Sequence, residues 1–356
     1  MANSVFVLGA GASAAAGVPL MGNFLDVAHD LLRANKVVDR ESFELVFDAV
    51  GVLPRVHSKA MLDVDNVESV FSAFEMAQIL GVFGDYDEAR IATLDRAMRQ
   101  VIAETVERSM PLPTKKHEGH TYVAAPPPYE EFAELIASIR ETSQTCSVVT
   151  LNYDLACDYA LYQRDVPVVY SLGSDDDPAG GLPLLKLHGS LNWVLCPRCR
   201  QIVPWRLGRY LANRSWPTAD LVKTVQLSLA AELPKMLHCE EAVGSGPVIV
   251  PPTWGKTSQH LSLTHVWRRA ARELSEAENI FVIGYSMPPS DAFFKYLYAL
   301  GTVGKTRIRR FWVYNPDPTV GERFRDLLGP AVQSKFQYVQ DTFAHAIDGI
   351  QRQFKA

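Results

Sequence analysis

Short blocks of apolar residues alternate along the chain with longer stretches in which apolar positions recur every three or four residues. The blocks at 5–8, 147–151, 184–187, 280–283 and 310–314 read as short strands buried on both faces, the pattern of a parallel sheet. The periodic stretches predict helices over about 20–34, 128–142, 154–163, 258–276, 290–300, 319–328 and 342–354. After the first of these, Val67, Val70, Phe71, Phe74 and Ala77 mark a helix that Asp65 can cap, with Glu68 placed as in a capping box. Ile91, Leu94, Met98, Val101 and Thr105 mark another. Strands alternating with helices predict an α/β fold, a Rossmann-like parallel sheet flanked by helices.

Two stretches interrupt the alternation. Residues 36–110 are helical, and 111–128 (PLPTKKHEGHTYVAAPPP) read as a mobile loop rich in proline, glycine and polar residues. Together they predict an insertion over 36–128 that covers one edge of the sheet; lining a ligand pocket or an oligomer face is the other reading. His117 and His120 in that loop read as solvated. The second insertion spans 194–255. Cys196-Pro197-Arg198-Cys199 is the C-x-x-C half of a zinc site, but only His238-Cys239 follows it. Adjacent residues rarely share one tetrahedral ion. The cysteines therefore read first as a relic or reduced thiol pair, and second as a zinc site of Cys196, Cys199 and Cys239, with His238 as a conceivable fourth ligand. The run 247–252 (PVIVPP) predicts a return to the main sheet. Residues 1–356 then form a single domain with a helical and a degenerate zinc-module-like insertion.

Composition narrows the function classes. With 356 residues, 47% of them hydrophobic, and a net charge of −5, the chain reads as an ordinary globular protein whose bulk surface does not bind nucleic acid. A core strand starting within four residues leaves no room for a signal peptide, and no apolar run is long enough to span a bilayer. Five cysteines, an odd count, point to reduced thiols and the cytoplasm.

The chemistry gathers just after the predicted strands. Gly9 and Gly11 permit a tight turn and close approach of a ligand, and Ser13 to Ala16 open a helix whose N–H groups favour an anion. Gly9-x-Gly11-x-x-Ala14 is the loose dinucleotide fingerprint, although any tight strand-to-helix turn would also satisfy it. Asn152 and Asp154 follow the second strand, where open α/β sheets bind ligands; Asp154 also suits a helix cap. His188 follows the third strand, placed to reach a pocket or to sit buried on a backbone carbonyl. The acidic second strand of a dehydrogenase is missing, which argues against a dinucleotide-dependent oxidoreductase.

Taken together, these residues resemble the sirtuin-like superfamily, in particular its bacterial defence-type, NAD-consuming branch. Gly9-Ala10-Gly11-Ala12-Ser13 with Gly17-Val18-Pro19 is similar to the GAGxSxxxGIP loop, Thr150-Leu151-Asn152-Tyr153-Asp154 to TQNxD, and His188-Gly189 to the catalytic HG. Gly284-Tyr285-Ser286 and Asn315 stand where the family faces the adenosine half of NAD. The resemblance implies contacts to NAD from Gly9, Ala10, Gly11, Ser13, Pro19, Gly284, Ser286 and Asn315. It implies catalysis by Asn152, Asp154 and His188, with His188 as general base. Leu20-Met21-Gly22-Asn23 replaces the Phe and Arg of deacylases, and the acyl-lysine segment is unrecognisable over 248–254. The expectation is therefore an NAD hydrolase releasing nicotinamide and ADP-ribose. An NAD-dependent deacylase and a non-catalytic NAD or ADP-ribose sensor are the alternatives. Because free-running NAD hydrolysis would kill its host, a homo-oligomer or a separately encoded antiphage-defence partner is expected to hold the enzyme in check.

Overall fold

Every strand of the main sheet ends at the same edge, because all seven run parallel. The computed structural model describes residues 3–56, 62–118, 120–142, 144–173, 180–212, 223–227, 229, 233, 236–243, 246–250, 263–288, 291–302 and 306–355. The strands are β1 (Asn3–Leu8), β4 (Thr145–Thr150), β5 (Val168–Val169), β6 (Leu182–Lys186), β14 (Asn279–Ile283), β15 (Arg310–Tyr314) and β16 (Phe336–Val339), in the spatial order β16-β15-β14-β1-β4-β6-β5. β5 and β16 escaped the sequence pattern; the first is two residues long and the second only half buried. The chain builds outward from β1 through β4 to β6 and β5, then returns to β14 on β1's other side. The carboxyl end of β1 is thus the topological switch point, where ligands of open α/β sheets bind.

Adjacent strand residues point to opposite faces, and both faces are covered. Helices α6 (Tyr129–Arg140) and α13 (Phe343–Lys355) pack on the face of Phe6, Phe281 and Trp312, with Phe132 edge-on to Phe6 and Phe354 near Phe281. Phe311, one residue from Trp312, meets Tyr298 of α10 (Ala292–Gly301) and Phe324 of α11 (Val320–Leu327). Helix α9 (Thr264–Glu276) packs on β6 and β1. The first part of its expected range, 258–262, lies outside the described residues. Among the described residues no helix is long and apolar enough to cross a membrane.

Short helices α1 (Ala10–Ala14) and α2 (Phe24–Arg33) follow β1; α3 (Arg40–Val56), α4 (Val67–Leu80) and α5 (Glu88–Ser109) fill the next stretch. Asn66, not Asp65, caps α4, its Oδ1 accepting from the backbone N–H of Glu68 at 2.9 Å and of Ser69 at 3.4 Å. Glu68 is therefore the second helical residue, one position before the one a capping box on Asn66 requires. Where a mobile loop was expected over 111–128, β2 (Pro111–His117) and β3 (His120–Val123) make an antiparallel hairpin, joined by β10 (Thr224–Gln226). The sequence pattern hides it because Pro111 and Pro113, which cannot donate to a ladder, argue against a strand, although β2 is the middle strand and meets β10 at these very residues. The side chains of His117 and His120 lie outside the described set.

The stretch after β6 is built of small ladders. β7 (Gly189–Ser190) pairs with β13 (Val248–Ile249), β8 (Trp193–Leu195) with β9 (Ile202–Pro204), and β11 (Leu237–His238) with β12 (Glu241–Ala242). Val248-Ile249 thus joins the strand after His188 instead of returning to the main sheet; 251–254 lie outside the described residues. Helix α7 (Ala156–Gln163) follows β4, α8 (Leu207–Ala212) follows β9, and α12 (Pro330–Gln333) precedes β16.

Candidate functional site

Five neighbouring strands deliver the candidate residues: β1 leads into Gly9–Ser13, β4 into Asn152–Asp154, β6 into His188, β14 into Gly284–Ser286 and β15 into Asn315. The glycines make this convergence sterically feasible. A Cβ on Gly9 would lie 2.4 Å from the Tyr285 Cα, and one on Gly11 2.8 Å from the Gly284 carbonyl oxygen. The Gly11 N–H donates to that oxygen at 2.8 Å, and Gly284 itself holds φ +64°. The space that these glycines open is thus filled by the neighbouring turn and not by a ligand. Ser13 falls inside the five-residue α1, which begins at Ala10 and so earlier than expected.

Ser13 is the junction of the site. Its hydroxyl donates to Asp154 Oδ2 at 2.5 Å and accepts from Asn152 Nδ2 at 2.7 Å. The Tyr129 hydroxyl lies 3.0 Å away; with Ser13's one proton given to Asp154, Tyr129 is the donor of that pair. Asn152 Nδ2 also donates to the Gly9 carbonyl at 2.9 Å. Both amide protons are spent on the protein, so Oδ1 is the group that Asn152 presents to the cleft. Asp154 Oδ1 accepts from the Ala156 N–H at 2.9 Å, so its capping role and its site role coexist. Burial pushes the Asp154 carboxyl above the ordinary carboxylate value, against the pull of nearby Lys186 and the Ser13 bond. Burial likewise pushes the Tyr129 phenol well up, with the Asp154 charge adding to it.

Ala10, Ser13, Pro19, Asn152, Tyr153 and Asp154 line a narrow cleft with a cavity volume of about 50 Å³. Its far wall comes from the helical stretch, including Glu68 and Phe71 of α4 and Ile102 and Val106 of α5. That stretch therefore lines a pocket. Glu68, only 7% exposed, puts a second carboxylate on the wall, and neither it nor Tyr129 stands out in the sequence. A carboxylate on an otherwise apolar helix face after a cap is the signal that could have found Glu68. His188 is buried, with its ring centroid 6.3 Å from that of Tyr153, but it is not among the cleft's lining residues. Gly284, Ser286 and Asn315 also stand apart from this cleft. The Ser286 carbonyl accepts from Arg323, and Asn315 Oδ1 from the Asp317 N–H at 2.9 Å.

The cysteines form a second cluster. Single donor atoms of Cys196, Cys199, His238 and Cys239 all lie within 4.8 Å of one another. The expectation that adjacent residues would not converge fails here for a local reason. Left-handed backbone at Cys239 (φ 52°) and Glu240 (φ 66°) turns the chain so that both His238 and Cys239 face the pair on the opposite hairpin. His238 Nδ1 lies 3.3 Å from Cys239 Sγ and 3.6 Å from Cys199 Sγ. Backbone and His238 hydrogen bonds bring the Cys196 thiol down to about 6. Three sulfurs and one imidazole at this spacing fit a tetrahedral zinc ion.

No protein-family model matches the chain, and no curated protein matches it. Among solved structures it is similar to one titled as the structural basis for the mechanism and regulation of Sir2 enzymes, at 15% identity, 99% of this chain, 92% of that one and a TM-score of 0.43. It is also similar to a Sir2 homolog–NAD complex (16% identity, 99% and 89% covered, TM-score 0.40) and to a Sir2 protein bound to a propionylated peptide (13%, 99% and 93%, 0.37). Likeness at that level transfers no chemistry to this chain.

Proposed function

We propose that the chain is an NAD hydrolase that cleaves NAD to nicotinamide and ADP-ribose. The observation that carries this reading is the Ser13 junction at the switch point, which fixes Asn152 and Asp154 on one cleft with Asn152 Oδ1 left as an acceptor. The reaction breaks the ribose C1′–N bond through an oxocarbenium-like sugar, nicotinamide leaves neutral, and water's oxygen bonds to C1′ with loss of a proton. The Asp154 carboxylate suits the carboxamide N–H; Asn152 Oδ1 suits a ribose hydroxyl or the attacking water; His188 takes the proton late. Ala10 and Pro19 flank the nicotinamide half. Gly9 and Gly11 hold the turn against Gly284, and Gly284, Ser286 and Asn315 serve the adenosine half. Zinc at Cys196, Cys199, His238 and Cys239 would be structural, tying two hairpins together without touching substrate.

The same reading gives the enzyme a role as a gated effector of antiphage, abortive-infection defence. Exposed Met76, Ile79, Leu80 and Val82 at the end of α4 support assembly with a second copy or a separately encoded partner. The deciding experiment incubates purified protein with NAD, with and without an acylated peptide, and quantifies nicotinamide, ADP-ribose and acylated ADP-ribose. Peptide-independent ADP-ribose is expected. Product that appears only with peptide would make the chain a deacylase, and NAD binding without turnover would make it a sensor.

A further inference from the structure

The most deeply buried ion pair among the described residues is not part of the proposed chemistry. Lys186, the last residue of β6, lies opposite Thr150 in the sheet register and reaches under the turn that carries Asp154. Its Nζ donates to the Asp154 backbone carbonyl at 2.6 Å and to Asp158 Oδ2 at 2.8 Å, with both side chains of the pair 1% exposed. Asp158 Oδ1 accepts from the Tyr170 hydroxyl at 2.6 Å, and that hydroxyl accepts from Asn192 Nδ2 at 3.2 Å. Asn192 Oδ1 in turn accepts from Ser190 Oγ at 2.7 Å.

The placement of these groups along the chain is informative. Lys186 and Asn192 bracket His188, while Asp158 lies one helical turn beyond Asp154. One network therefore ties both ends of the His188 loop to the segment holding Asp154, directly through Lys186 and indirectly through Tyr170. Leu191 N–H donating to the Tyr153 carbonyl at 3.0 Å adds a backbone tie between the same two loops. Stability alone does not call for such a pair, since apolar residues of like volume often replace a buried ion pair at no loss.

We propose that Lys186 is a positioning residue, which with Asp158, Tyr170 and Asn192 holds the His188 loop in register with Asp154; this rests on the NAD reading above. The test is the charge-free variant Lys186→Met/Asp158→Leu, because Lys186→Met alone would strand a buried carboxylate. The double variant is expected to stay folded, losing a few degrees because the Tyr170 hydroxyl loses its acceptor, while kcat for NAD falls about 100-fold and KM moves by less than about threefold. Wild-type kcat in the folded double variant would overturn the proposal. Should that variant not fold, Tyr170→Phe removes the hydroxyl's bonds to Asp158 and Asn192 and keeps the Lys186–Asp158 pair; about a tenfold loss of kcat is expected there, and none would overturn it. If the wild-type protein does not turn over NAD, amide hydrogen exchange answers without substrate. Faster exchange confined to 151–155 and 187–192 in the double variant upholds the positioning role, and unchanged exchange overturns it.

Discussion

Two polar clusters in this molecule are built on opposite principles. The Ser13–Asn152–Asp154 cluster draws residues far apart in sequence onto the ends of parallel strands, where each side chain is bonded to another and Asn152 and Asp154 also to backbone. The Cys196–Cys199–His238–Cys239 cluster sits on two-stranded hairpins, with Cys199 exposed and Cys239 half-buried. The first is held by the core beneath it, where Val5, Phe6, Val7 and Leu8 are fully buried. The second stands on short two-stranded ladders, and on the zinc reading proposed above a bound ion would fix its geometry. Substitution in the first should therefore remove chemistry and spare the fold. In the second it should do the reverse.

The largest expected effect tests that division. His188→Ala and Asn152→Ala should each lower NAD turnover about 10³-fold while leaving the thermal midpoint within a degree or two of wild type. Cys196→Ser should lower the midpoint and leave kcat within a few-fold. Wild-type turnover in His188→Ala would remove it as general base, and a collapsed midpoint in Asn152→Ala would show that the first cluster is structural.

Legibility in the sequence divides along similar lines. The four buried residues at 5–8 and their counterparts in β6, β14 and β15 are largely apolar runs, and β4 carries Val148-Val149 between small polar residues, so the sheet and the residues after each strand were readable. Asn152, Asp154 and Ser13 were readable because they follow those runs directly. Tyr129 and Glu68 were not, since their approach depends on how helices pack over the sheet, which periodicity does not encode. The 111–123 hairpin was hidden by prolines at 111 and 113, and the convergence of His238 with Cys239 by a left-handed turn at a residue other than glycine.

A smaller effect concerns the ion. Metal analysis of protein purified without chelator should find one zinc per chain, and chelation should lower the thermal midpoint by a few degrees with NAD turnover at low temperature retained. Zinc-free protein with an unchanged midpoint would return the four residues to a reduced thiol cluster, and the contrast between the two regions would lose its second half.

The smallest effect is a pH dependence from Asp154 alone. Burial raises its folded-state pKa above the ordinary carboxylate value of 3.8, more than Lys186 and Ser13 lower it. The folded protein therefore binds this proton more readily than the unfolded chain does. Its contribution to stability is fully present below 3.8 and is lost as pH rises toward the raised folded value, by at most about 1.4 kcal/mol per pH unit for one proton. Activity should run the other way, because only the carboxylate accepts the carboxamide N–H. The acid limb of kcat/KM should accordingly fall above 3.8. Denaturant unfolding at a series of pH values, wild type against Asp154→Asn, measures the difference directly. The variant should lack this loss of stability as pH rises and should stay weakly active throughout. Parallel stability curves for the two proteins would mean that Asp154 titrates as it does in water, and that the Ser13 junction shapes the cleft without tuning its charge.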